Sequence, residues 1–529
     1  MRSVLLVDPG TDFAEGGTRH ATRQTPHIGL CYLAMVLRKH AHVTMLDMPL
    51  LGLSVDDLRR ELEKLKAGDL VGITTATFNV PEAIEAAELA KEVNPELKVI
   101  LGGPHVNAYP KDVLERSASV DAAIVGEAEF ILSEIVANLD NANFDIDLPG
   151  VVHRAPEGIT FRPVSPAFVV SNMDDLPFLD WNFLQLGKYW KRYSVRFDSM
   201  VQMAPLSTNR GCPYKCSFCD GANLTSKLRW RSAKHTVDEI EHALNTYGLR
   251  HYYITDSVMC IPKPRFREFC DMMIERGLHK EVSFIGQAQI NSIDEDMVEA
   301  FARAGGEYIF FGLESGNEEV LAKNGKPITK DKIRRVVDTA YNSGLHPRGS
   351  FILGLPFETE ASALDTIEFS HELKLHTANF FILDFYPGTR AKRMLEQGEG
   401  GLVELDGGID WDTYIPSRGH AHVSVNDLSP GRLEELLQYA KSLPMPFQDS
   451  DLMFRQKLTE FIYLAERGNL IGERLENWLT DIENAMEMAS AQQIATCKPR
   501  LQRAREIAEQ HRQAQRLAVF ESSGAVKSI

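Results

Sequence analysis

The segment Cys212-Pro-Tyr-Lys-Cys216-Ser-Phe-Cys219 places three thiols within eight consecutive residues. Three thiolates can hold three irons of a four-iron cluster, which leaves the fourth iron open to a substrate or cofactor. A closed structural zinc site takes four ligands, but the nearest later candidates, His235 and Cys260, lie well outside the segment. The spacing therefore favours a [4Fe-4S] cluster over zinc, with the three cysteines as its ligands.

The composition is that of an ordinary globular chain. Its 529 residues suffice for two or three domains, and its net charge of −17 opposes binding to nucleic acid or to an anionic membrane. The first apolar run, Val4–Val7, is too short for a signal peptide, and no run of about 18 apolar residues could span a bilayer. Seven cysteines, an odd number with three clustered, favour a reducing compartment. We therefore expect a cytoplasmic protein without nucleic-acid or membrane partners.

Residues 1–140 alternate short apolar runs with amphipathic helical patterns. The strand-like runs are Val4–Val7, Val43–Leu46, Leu70–Ile73, Val99–Leu101 and Ala122–Val125. This alternation predicts an α/β domain with a doubly wound, Rossmann-like parallel sheet. Ligands of such sheets bind at the carboxyl ends of the strands. The residues at those ends are Pro9, Gly10, Thr74, Thr75, Gly102, Gly103, Pro104, His105, Gly126 and Glu127.

The rest of the chain divides into three parts. Residues 141–200 predict a linker that contains a hairpin over 150–153 and 159–162. Residues 201–390 predict a partial (β/α)6 barrel, since six strand-like runs alternate with helical patterns. Those runs are Ala204–Ser207, Tyr252–Thr255, Val282–Gly286, Tyr308–Gly312, Gly349–Leu353 and Phe380–Asp384. The cysteines follow the first run, so the cluster should lie at the carboxyl ends of the barrel strands. Residues 391–529 predict a mainly helical substrate or cap region.

Several motifs resemble, in their order along the chain, those of cobalamin-dependent radical S-adenosylmethionine (SAM) enzymes of the class B methyltransferase type. In that family a B12-binding domain precedes a radical SAM barrel. The motifs are the three-cysteine segment with Phe218 before its last cysteine, Gly102–His105, Gly126-Glu127, Asp174–Pro177, Phe311–Gly316, Gly354–Pro356 and Tyr386–Thr389. The resemblance covers roughly residues 1–390. It implies three cofactors: a [4Fe-4S] cluster, SAM and cobalamin.

The resemblance implies that cobalamin lies over the strand ends of the first domain. Gly102 and Gly103 would let a flat corrin approach the backbone, because they carry no Cβ. Thr74 and Thr75 would offer hydroxyls to the dimethylbenzimidazole tail or to the ring amides. The alternative for each glycine is an ordinary turn between a strand and a helix, which needs glycine without any ligand.

The resemblance also implies that the open iron binds the amino and carboxylate groups of SAM. Glu314 and Ser315 would reach the ribose or methionine part of SAM, since a carboxylate accepts well from vicinal hydroxyls. Asp256, Gln287 and Arg348 are further candidates for contacts with SAM or substrate. A salt bridge or a solvent contact at the barrel rim is the alternative for these three residues.

The chain departs from one corrinoid pattern, because it has no Asp-x-His-x-x-Gly motif to supply a histidine to the lower face of cobalt. His27 and His105 are the nearby alternatives, and each is also a plausible hydrogen-bonding loop histidine. An empty or water-filled lower face would favour the return of cobalt to the Co(I) state.

The activity implied by the resemblance is methyl transfer by radical chemistry. Reductive cleavage of SAM would give a 5′-deoxyadenosyl radical, which takes a hydrogen atom from an unactivated carbon of a small molecule or natural-product intermediate. The methyl group would reach that carbon, or less often a phosphorus, from SAM through methylcobalamin. A small electron donor such as flavodoxin or ferredoxin would act as a partner.

Two other functions stay open at this point. One is a cobalamin-dependent radical SAM ring contraction or oxidative cyclisation, and the other is a non-catalytic protein that binds a corrinoid and an iron–sulfur cluster. The substrate face would lie beyond residue 390, where polar and aromatic residues cluster, although a surface loop would have the same composition. These residues are Trp411, Asp412, Tyr414, Arg418, His420 and His422.

Overall fold

The computed structural model describes residues 2–10, 25–139, 146–221, 227–405, 420–467, 470 and 473–522. The chain forms two compact units. The first contains residues 1–190 and 203–446, and the second contains residues 191–202 and 447–529. Both cofactor-binding regions predicted from the sequence therefore lie in the first unit.

The first sheet has seven strands in the order β2-β1-β3-β4-β5-β6-β7. They are β1 Ser3–Asp8, β2 His42–Asp47, β3 Leu70–Thr74, β4 Lys98–Gly102, β5 Ala122–Ile124, β6 Val151–Ala155 and β7 Gly158–Phe161. Strands β1 to β5 are parallel, and the order reverses between β1 and β3. Apolar residues cover both faces of these strands, which is how a doubly wound parallel sheet is stabilised. The predicted Rossmann-like architecture is confirmed.

Helices pack on both faces of this sheet. They are α1 Ile28–Leu37, α2 Met48–Leu51, α3 Val55–Leu62, α4 Val80–Val93, α5 Pro104–Ala108, α6 Asp112–Arg116 and α7 Glu129–Ala137. Helix α1 is apolar nearly all round, because it packs against β1 and α7. Its first residues and those of α7 lie near the carboxyl ends of the strands, where a ligand would bind.

The hairpin predicted inside the linker belongs to the first sheet. Strand β6 pairs antiparallel with β5, with Val151 opposite Ile124, and β7 pairs with β6. Val151 and Val152 are buried in the two apolar clusters on either side of the sheet. The sheet therefore extends past residue 140, and the linker proper begins after Phe161.

The second sheet has six parallel strands in the order β10-β13-β14-β15-β16-β17. They are β10 Met203–Leu206, β13 His251–Ile254, β14 Ser283–Gln289, β15 Gly306–Glu314, β16 His346–Leu353 and β17 Thr377–Ile382. The intervening helices are α8 Ala233–Tyr247, α9 Lys263–Glu275, α10 Glu295–Arg303, α11 Glu318–Lys323, α12 Lys330–Asn342 and α13 Glu360–Glu372. A short ribbon of β11 Asn209–Arg210 and β12 Arg229–Trp230 flanks the cysteine segment. This arrangement confirms the predicted partial (β/α)6 barrel.

The C-terminal region is mainly helical, as predicted. Its elements in the first unit are α14 Arg390–Glu396, β18 Leu402–Glu404, β19 Val423–Val425 and α15 Pro430–Ser442. The second unit contains β8 Arg192–Ser194, β9 Ser199–Val201, α16 Ser450–Glu466, α17 Glu473–Met488, α18 Ala491–Thr496 and α19 Lys498–Ser522. Its hairpin is tied to α19 by Arg500, whose guanidinium lies 2.9 Å from Asp198. In the described part of the chain, no helix has both the length and the apolar character needed to cross a membrane.

A substitution at Gly103 tests how tightly the turn after β4 is packed. Its φ is +112°, and a Cβ at this position would lie 2.5 Å from the Thr75 carbonyl oxygen. We expect Gly103→Ala to lower the free energy of unfolding by about 3 kcal/mol, since both the backbone angle and the contact oppose a side chain. Urea unfolding of the cofactor-free protein would measure this effect. Gly248→Ala is the matched control, because Gly248 also has positive φ but open space around a Cβ. Equal effects of the two substitutions would contradict this account.

Candidate active site at the carboxyl ends of the strands

The entry to the cysteine segment is fixed by Asp256, which follows β13. The Asp256 carboxylate accepts hydrogen bonds from Thr208 N at 2.7 Å, from Asn209 N at 3.1 Å and from the Thr208 hydroxyl. Asp256 is 2% exposed, and burial raises the pKa of its carboxyl. Asp256 therefore holds the backbone that leads to Cys212. It also lines the cavity described below, and its contact with SAM or substrate stays a prediction.

The middle of the cysteine segment is held by two other loops of the barrel. Ser217 N donates to Asn324 O at 2.9 Å, and its hydroxyl bonds to the Asn324 side chain. Ala391 N, at the start of α14, donates to Ser217 O at 2.8 Å. Gly325 lies so close that a Cβ there would be 2.7 Å from Lys215 O. These contacts fix the backbone on which the three thiols are carried.

The three cysteines are half-buried. Burial raises the pKa of Cys216 to about 11, and the charges of Cys219 and Cys212 add to this effect, whereas Lys326 opposes it. Three thiolates together therefore need a cation, which iron supplies. No three His, Cys, Asp or Glu side chains among the described residues converge on a single ion. The donor set fits a cluster in which each thiolate binds a different iron.

Glu314 faces this segment at the carboxyl end of β15. Its φ is +65°, an uncommon angle for a residue with a side chain, and the register with β16 shifts between Gly312 and Glu314. Its carboxylate lies 2.7 Å from Lys326 Nζ. Burial lowers the pKa of Lys326, but Glu314 and Cys216 outweigh this effect, so the pKa is raised. A strained carboxylate beside the cluster ligands agrees with the predicted role of Glu314 toward SAM.

Lys326 was not predicted from the sequence. It is 5% exposed and lies two residues after Asn324, in the loop that also holds Ser217. The feature of the sequence that could have indicated Lys326 is a charged residue in an Asn-Gly-Lys turn, shortly after the strand that ends at Glu314. One charged group thus connects the Glu314 carboxylate with the cysteine segment.

Ser315 is placed differently from the expectation. Its hydroxyl lies 3.0 Å from the Thr366 hydroxyl of α13 and accepts a hydrogen bond from Asn317 N at 3.1 Å. Ser315 is fully buried, because it joins the end of β15 to the helix layer outside the barrel. The structure therefore does not support a SAM contact for Ser315.

The other predicted barrel residues also have protein partners. Gln287 Nε2 donates to Asp256 O at 2.6 Å, which leaves its amide oxygen for a ligand. Arg348 lies within β16, not before it, and its guanidinium stacks over the rings of Tyr308 at 4.2 Å and Phe310 at 5.3 Å. Within the described residues Arg348 forms no ion pair, and its contact with SAM or substrate stays a prediction. Phe218 packs against the barrel core.

A cavity of about 420 Å³ lies at the carboxyl ends of the first sheet. Its wall is mostly apolar, which is typical of small-molecule sites. The apolar residues come from β1, β3, β4, β5, α1 and α7 and include Leu6, Leu30, Ile73, Ile100, Ile124 and Leu132. Asn209, Arg210 and Gly211, which lead into Cys212, line the same cavity. An apolar slot of this size at the strand ends fits the nucleotide tail of cobalamin.

Six of the ten predicted strand-end residues line this cavity. They are Thr74, Gly102, Gly103, Pro104, Gly126 and Glu127. Pro9, Gly10, Thr75 and His105 are not among its described lining residues. The Thr75 hydroxyl donates to Gly102 O at 2.8 Å, and Gly10 N bonds to Asp8. The Thr75 hydroxyl and the turn at Gly10 therefore stabilise the carboxyl ends of the strands. At Gly103 a Cβ would meet Thr75, not a ligand.

The two candidate histidines also have structural roles. His105 is buried, with Nδ1 3.3 Å from the Thr77 hydroxyl and Nε2 3.0 Å from Asp112 Oδ2. Both nitrogens are therefore engaged, so His105 is not placed to bind cobalt. His27 lines the cavity as the N-cap of α1, where its Nδ1 accepts from Leu30 N at 3.3 Å.

Ion pairs connect the cavity rim with the cysteine segment. Glu127 accepts from Arg229 at 2.6 and 2.9 Å, and Arg210 contacts Glu129 at 2.6 Å and Glu127 at 3.5 Å. Burial raises the pKa of Glu127, but the hydrogen bond from Arg229 and the charge of Arg210 lower it further than burial raises it. Glu127 thus positions the β11–β12 ribbon, although the sequence predicted a cobalamin contact. Arg210, Arg229 and Glu129 were not predicted.

The proposed substrate cluster falls largely outside the described residues. Trp411, Asp412, Tyr414 and Arg418 lie in the range 406–419, which the structure leaves undescribed. His420 is exposed, with Nδ1 3.4 Å from Glu434, and His422 precedes β19. These two positions give no evidence for a substrate face.

A doubly wound sheet with an apolar cavity at its strand ends, followed by a partial barrel that carries three clustered cysteines, is the arrangement expected of a cobalamin-dependent radical SAM enzyme. Family models match both parts: a B12 binding domain matches residues 16–136, and the radical SAM superfamily matches residues 206–370. The chain belongs to the cobalamin-dependent radical SAM enzymes, and its cofactors are cobalamin, SAM and a [4Fe-4S] cluster.

Curated relatives include methyltransferases and cyclases. An uncharacterized methyltransferase of Pyrococcus horikoshii is 30% identical over 73% of this chain and 82% of its own length. An anaerobic magnesium-protoporphyrin IX monomethyl ester cyclase of Rubrivivax gelatinosus is 28% identical over 78% of this chain and 72% of its own. A cytidylyl-2-hydroxyethylphosphonate methyltransferase of Streptomyces wedmorensis is 26% identical over 72% and 79%, respectively.

Two solved structures share this fold. The radical SAM methyltransferase TsrM of Kitasatospora setae, solved with cobalamin and a [4Fe-4S] cluster, matches with a TM-score of 0.61 at 20% identity, over 82% of this chain and 81% of that one. The cobalamin-dependent radical enzyme OxsB, solved with aqua-cobalamin and SAM, matches with a TM-score of 0.66 at 17% identity, over 100% and 82%. At these identities the likeness establishes the fold.

Lys326→Met tests the buried ion pair beside the cysteines. The substitution leaves the Glu314 carboxylate buried without its partner, so we expect the free energy of unfolding to fall by about 3–5 kcal/mol. Urea unfolding of the cluster-free protein would measure the change. Lys323→Met is the control, because its pair with Glu319 is exposed to solvent and should contribute only a small fraction of that stability. A loss of that small size in both variants would show that the Glu314–Lys326 pair does not stabilise the loop.

Glu127→Gln tests the pairs at the cavity rim. The pKa of Glu127 is lowered from its ordinary 4.5, so the charge stabilises the fold above about pH 4.5 and the benefit disappears as the pH falls below that value. At pH 7 we expect the variant to be about 3 kcal/mol less stable, with the two proteins converging in acid. Unfolding free energies between pH 4 and 7 would show this. The exposed Glu92, paired with Arg59, supplies the control Glu92→Gln, and a pH-independent difference for Glu127→Gln would contradict the pairing.

Proposed function

We propose that this enzyme is a methyltransferase that moves a methyl group from SAM, through cobalamin, to an unactivated carbon of a small molecule or natural-product intermediate. Phosphorus is the less frequent acceptor. Bound SAM and the cluster supply the 5′-deoxyadenosyl radical that removes a hydrogen atom from the substrate. The observation that carries the proposal is the shared wall of the two sites: Asn209, Arg210 and Gly211 line the cavity, and the next residue is Cys212.

The shared wall matters because a methyl group can only pass between centres that face one cavity. The geometry supports this juxtaposition through Asp256, which fixes residues 208 and 209, and through Arg210, which pairs with Glu129 at the start of α7. Two of the relatives described above carry methyltransferase names, which supports transfer of the methyl group as the outcome.

The proposed redox chemistry of the cluster also bears on the electron donor and on the cellular compartment. The cluster needs one electron at a time, so we propose a small carrier such as flavodoxin or ferredoxin as the donor. Pro213, Lys215 and Asp220 beside the cysteines are exposed, so a carrier can approach this loop. Three clustered cysteines in a chain with an odd number of cysteines support the reducing cytoplasm as the compartment.

A second candidate is oxidative cyclisation or ring contraction without methyl transfer. The 28% identity to a magnesium-protoporphyrin IX monomethyl ester cyclase supports this second candidate. A non-catalytic binding protein is disfavoured, because the radical SAM superfamily matches residues 206–370 and the relatives described above carry the names of enzymes. The two enzymatic candidates differ in whether the product gains carbon.

The experiment uses anaerobically reconstituted enzyme with cobalamin, a reductant and SAM that carries a deuterated methyl group. A small-molecule extract serves as the substrate source, and products are found by mass. Methyl transfer predicts a labelled product with one added methylene, together with 5′-deoxyadenosine. Loss of hydrogens without added carbon would favour cyclisation and overturn methyl transfer.

Replacement of all three cysteines by Ala should abolish both the cluster and every trace of 5′-deoxyadenosine, because the iron ligands are lost. Cys270→Ala is the control, since that thiol is buried on α9, and it should retain both. Persistent 5′-deoxyadenosine in the triple variant would overturn the radical assignment itself.

A further inference from the structure

Basic side chains are concentrated around the cysteine segment. Three segments meet there, residues 212–220, 320–327 and 387–395, and Ser217 joins the first to the other two by backbone hydrogen bonds of 2.9 and 2.8 Å. Asp220 is their one acidic residue, whereas six residues are basic: Lys215, Lys323, Lys326, Arg390, Lys392 and Arg393. The whole chain has 57 basic and 74 acidic residues, so the sign of the charge is reversed beside the cysteines.

Half of these six cations are neutralised by carboxylates of the protein. Lys323, Lys326 and Lys392 each have a carboxylate oxygen within 3.4 Å. The other three cations are exposed and form no ion pair with any residue that the structure describes: Lys215, Arg390 and Arg393. These three unpaired cations leave positive charge available to a partner molecule.

The backbone holds the three unpaired cations close to the cluster ligands. Lys215 immediately precedes Cys216. Arg390 begins α14, and the N–H of the next residue in that helix donates to Ser217 O at 2.8 Å. Arg393 follows on the same helix, and its Nη1 donates to a backbone carbonyl just before the helix at 2.8 Å. Positive charge therefore lies at the surface beside the half-buried thiols.

This arrangement suits an acidic protein surface. Exposed cations on two separate segments form no enclosed pocket for a small anion, but they can face a broad partner of opposite charge. Complementary charge steers such partners together and speeds their encounter. The position of the cations beside the cluster ligands favours an electron carrier over nucleic acid as the partner.

We propose that Lys215, Arg390 and Arg393 form the docking surface for an acidic protein that carries single electrons. This inference rests on the proposed redox role of the cluster and does not depend on whether a methyl group is transferred. With flavodoxin as the carrier, the anionic flavin hydroquinone gives one electron to the oxidised [4Fe-4S]²⁺ cluster. The flavin becomes the neutral semiquinone and the cluster becomes [4Fe-4S]⁺, and no bond forms or breaks.

The test measures cluster reduction in the reconstituted full-length enzyme by stopped-flow absorbance, with flavodoxin hydroquinone as the probe. At about 0.1 M salt, replacement of all three cations by Gln should lower the second-order rate constant about ten-fold, because electrostatic steering is lost. Salt at about 1 M reduces the Debye length to about 3 Å, so the difference between the two proteins should then fall below about two-fold.

The matched control removes three exposed cations at the opposite ends of the two sheets. Lys39, Lys66 and Lys280 precede β2, β3 and β14, respectively, and all three are exposed. Their replacement by Gln changes the net charge by the same amount as the first variant. Because these positions are far from the cysteine segment and screened by salt, the rate with flavodoxin should stay within about two-fold of the wild type.

Arg390→Gln alone is the second variant, because this side chain has no hydrogen bond or ion pair to a described residue that its loss could disturb. Its rate with flavodoxin should fall about three-fold. Dithionite needs no docking surface, so it should reduce the cluster to the same extent in every variant, which shows that the fold and the cluster are intact.

Two failures are distinguishable. A wild-type cluster that dithionite cannot reduce would overturn the redox role itself. Equal rates of reduction by flavodoxin in the wild type and the triple variant at about 0.1 M salt would overturn the docking surface alone. Binding of an RNA oligonucleotide that is lost in the triple variant, with unchanged flavodoxin rates, would assign the surface to nucleic acid instead.

Discussion

The buried carboxylate of Asp256 is the contact on which the site depends. It accepts three hydrogen bonds from residues 208 and 209, all of them inside the protein. A charge or partial charge removed from water needs such partners, because the low-dielectric interior penalises an unpaired group. The satisfied carboxylate fixes the direction in which the chain leaves β10. Asn209 and Arg210 then reach the cavity of the first domain, and the cysteines follow on the barrel side.

Several residues that look like ligand contacts in the sequence also have partners within the protein. Glu127 holds Arg229, Ser315 holds the start of the loop after β15, and His105 bridges Thr77 and Asp112. The common cause is burial, since polar groups at strand ends are enclosed by neighbouring loops and must satisfy one another. Short polar motifs at strand ends therefore mark a site reliably but do not show which residues touch the ligand.

The elements that the sequence predicted are those with local patterns. Five parallel strands of the first sheet, six barrel strands and the cysteine segment each appear as a short run with its own periodicity or spacing. The unpredicted features join distant positions. Arg210 pairs with Glu129 across 81 residues, and the hairpin of β6 and β7 extends a sheet whose other five strands precede residue 125. The hairpin that contains Asp198 packs with helices beyond residue 446. No pattern within a single window records such pairings, because the partners lie far apart in the sequence.

Residues 209–211 belong at once to the cavity of the first domain and to the approach of the cysteine segment. A ligand that orders this short stretch reduces the conformational entropy that a second ligand must overcome. Linkage makes such an effect reciprocal, so each binding event favours the other by the same factor. We therefore expect the total free energy of binding to be the same whichever of the two ligands binds first. A chain that has bound neither ligand should be the form most exposed to degradation.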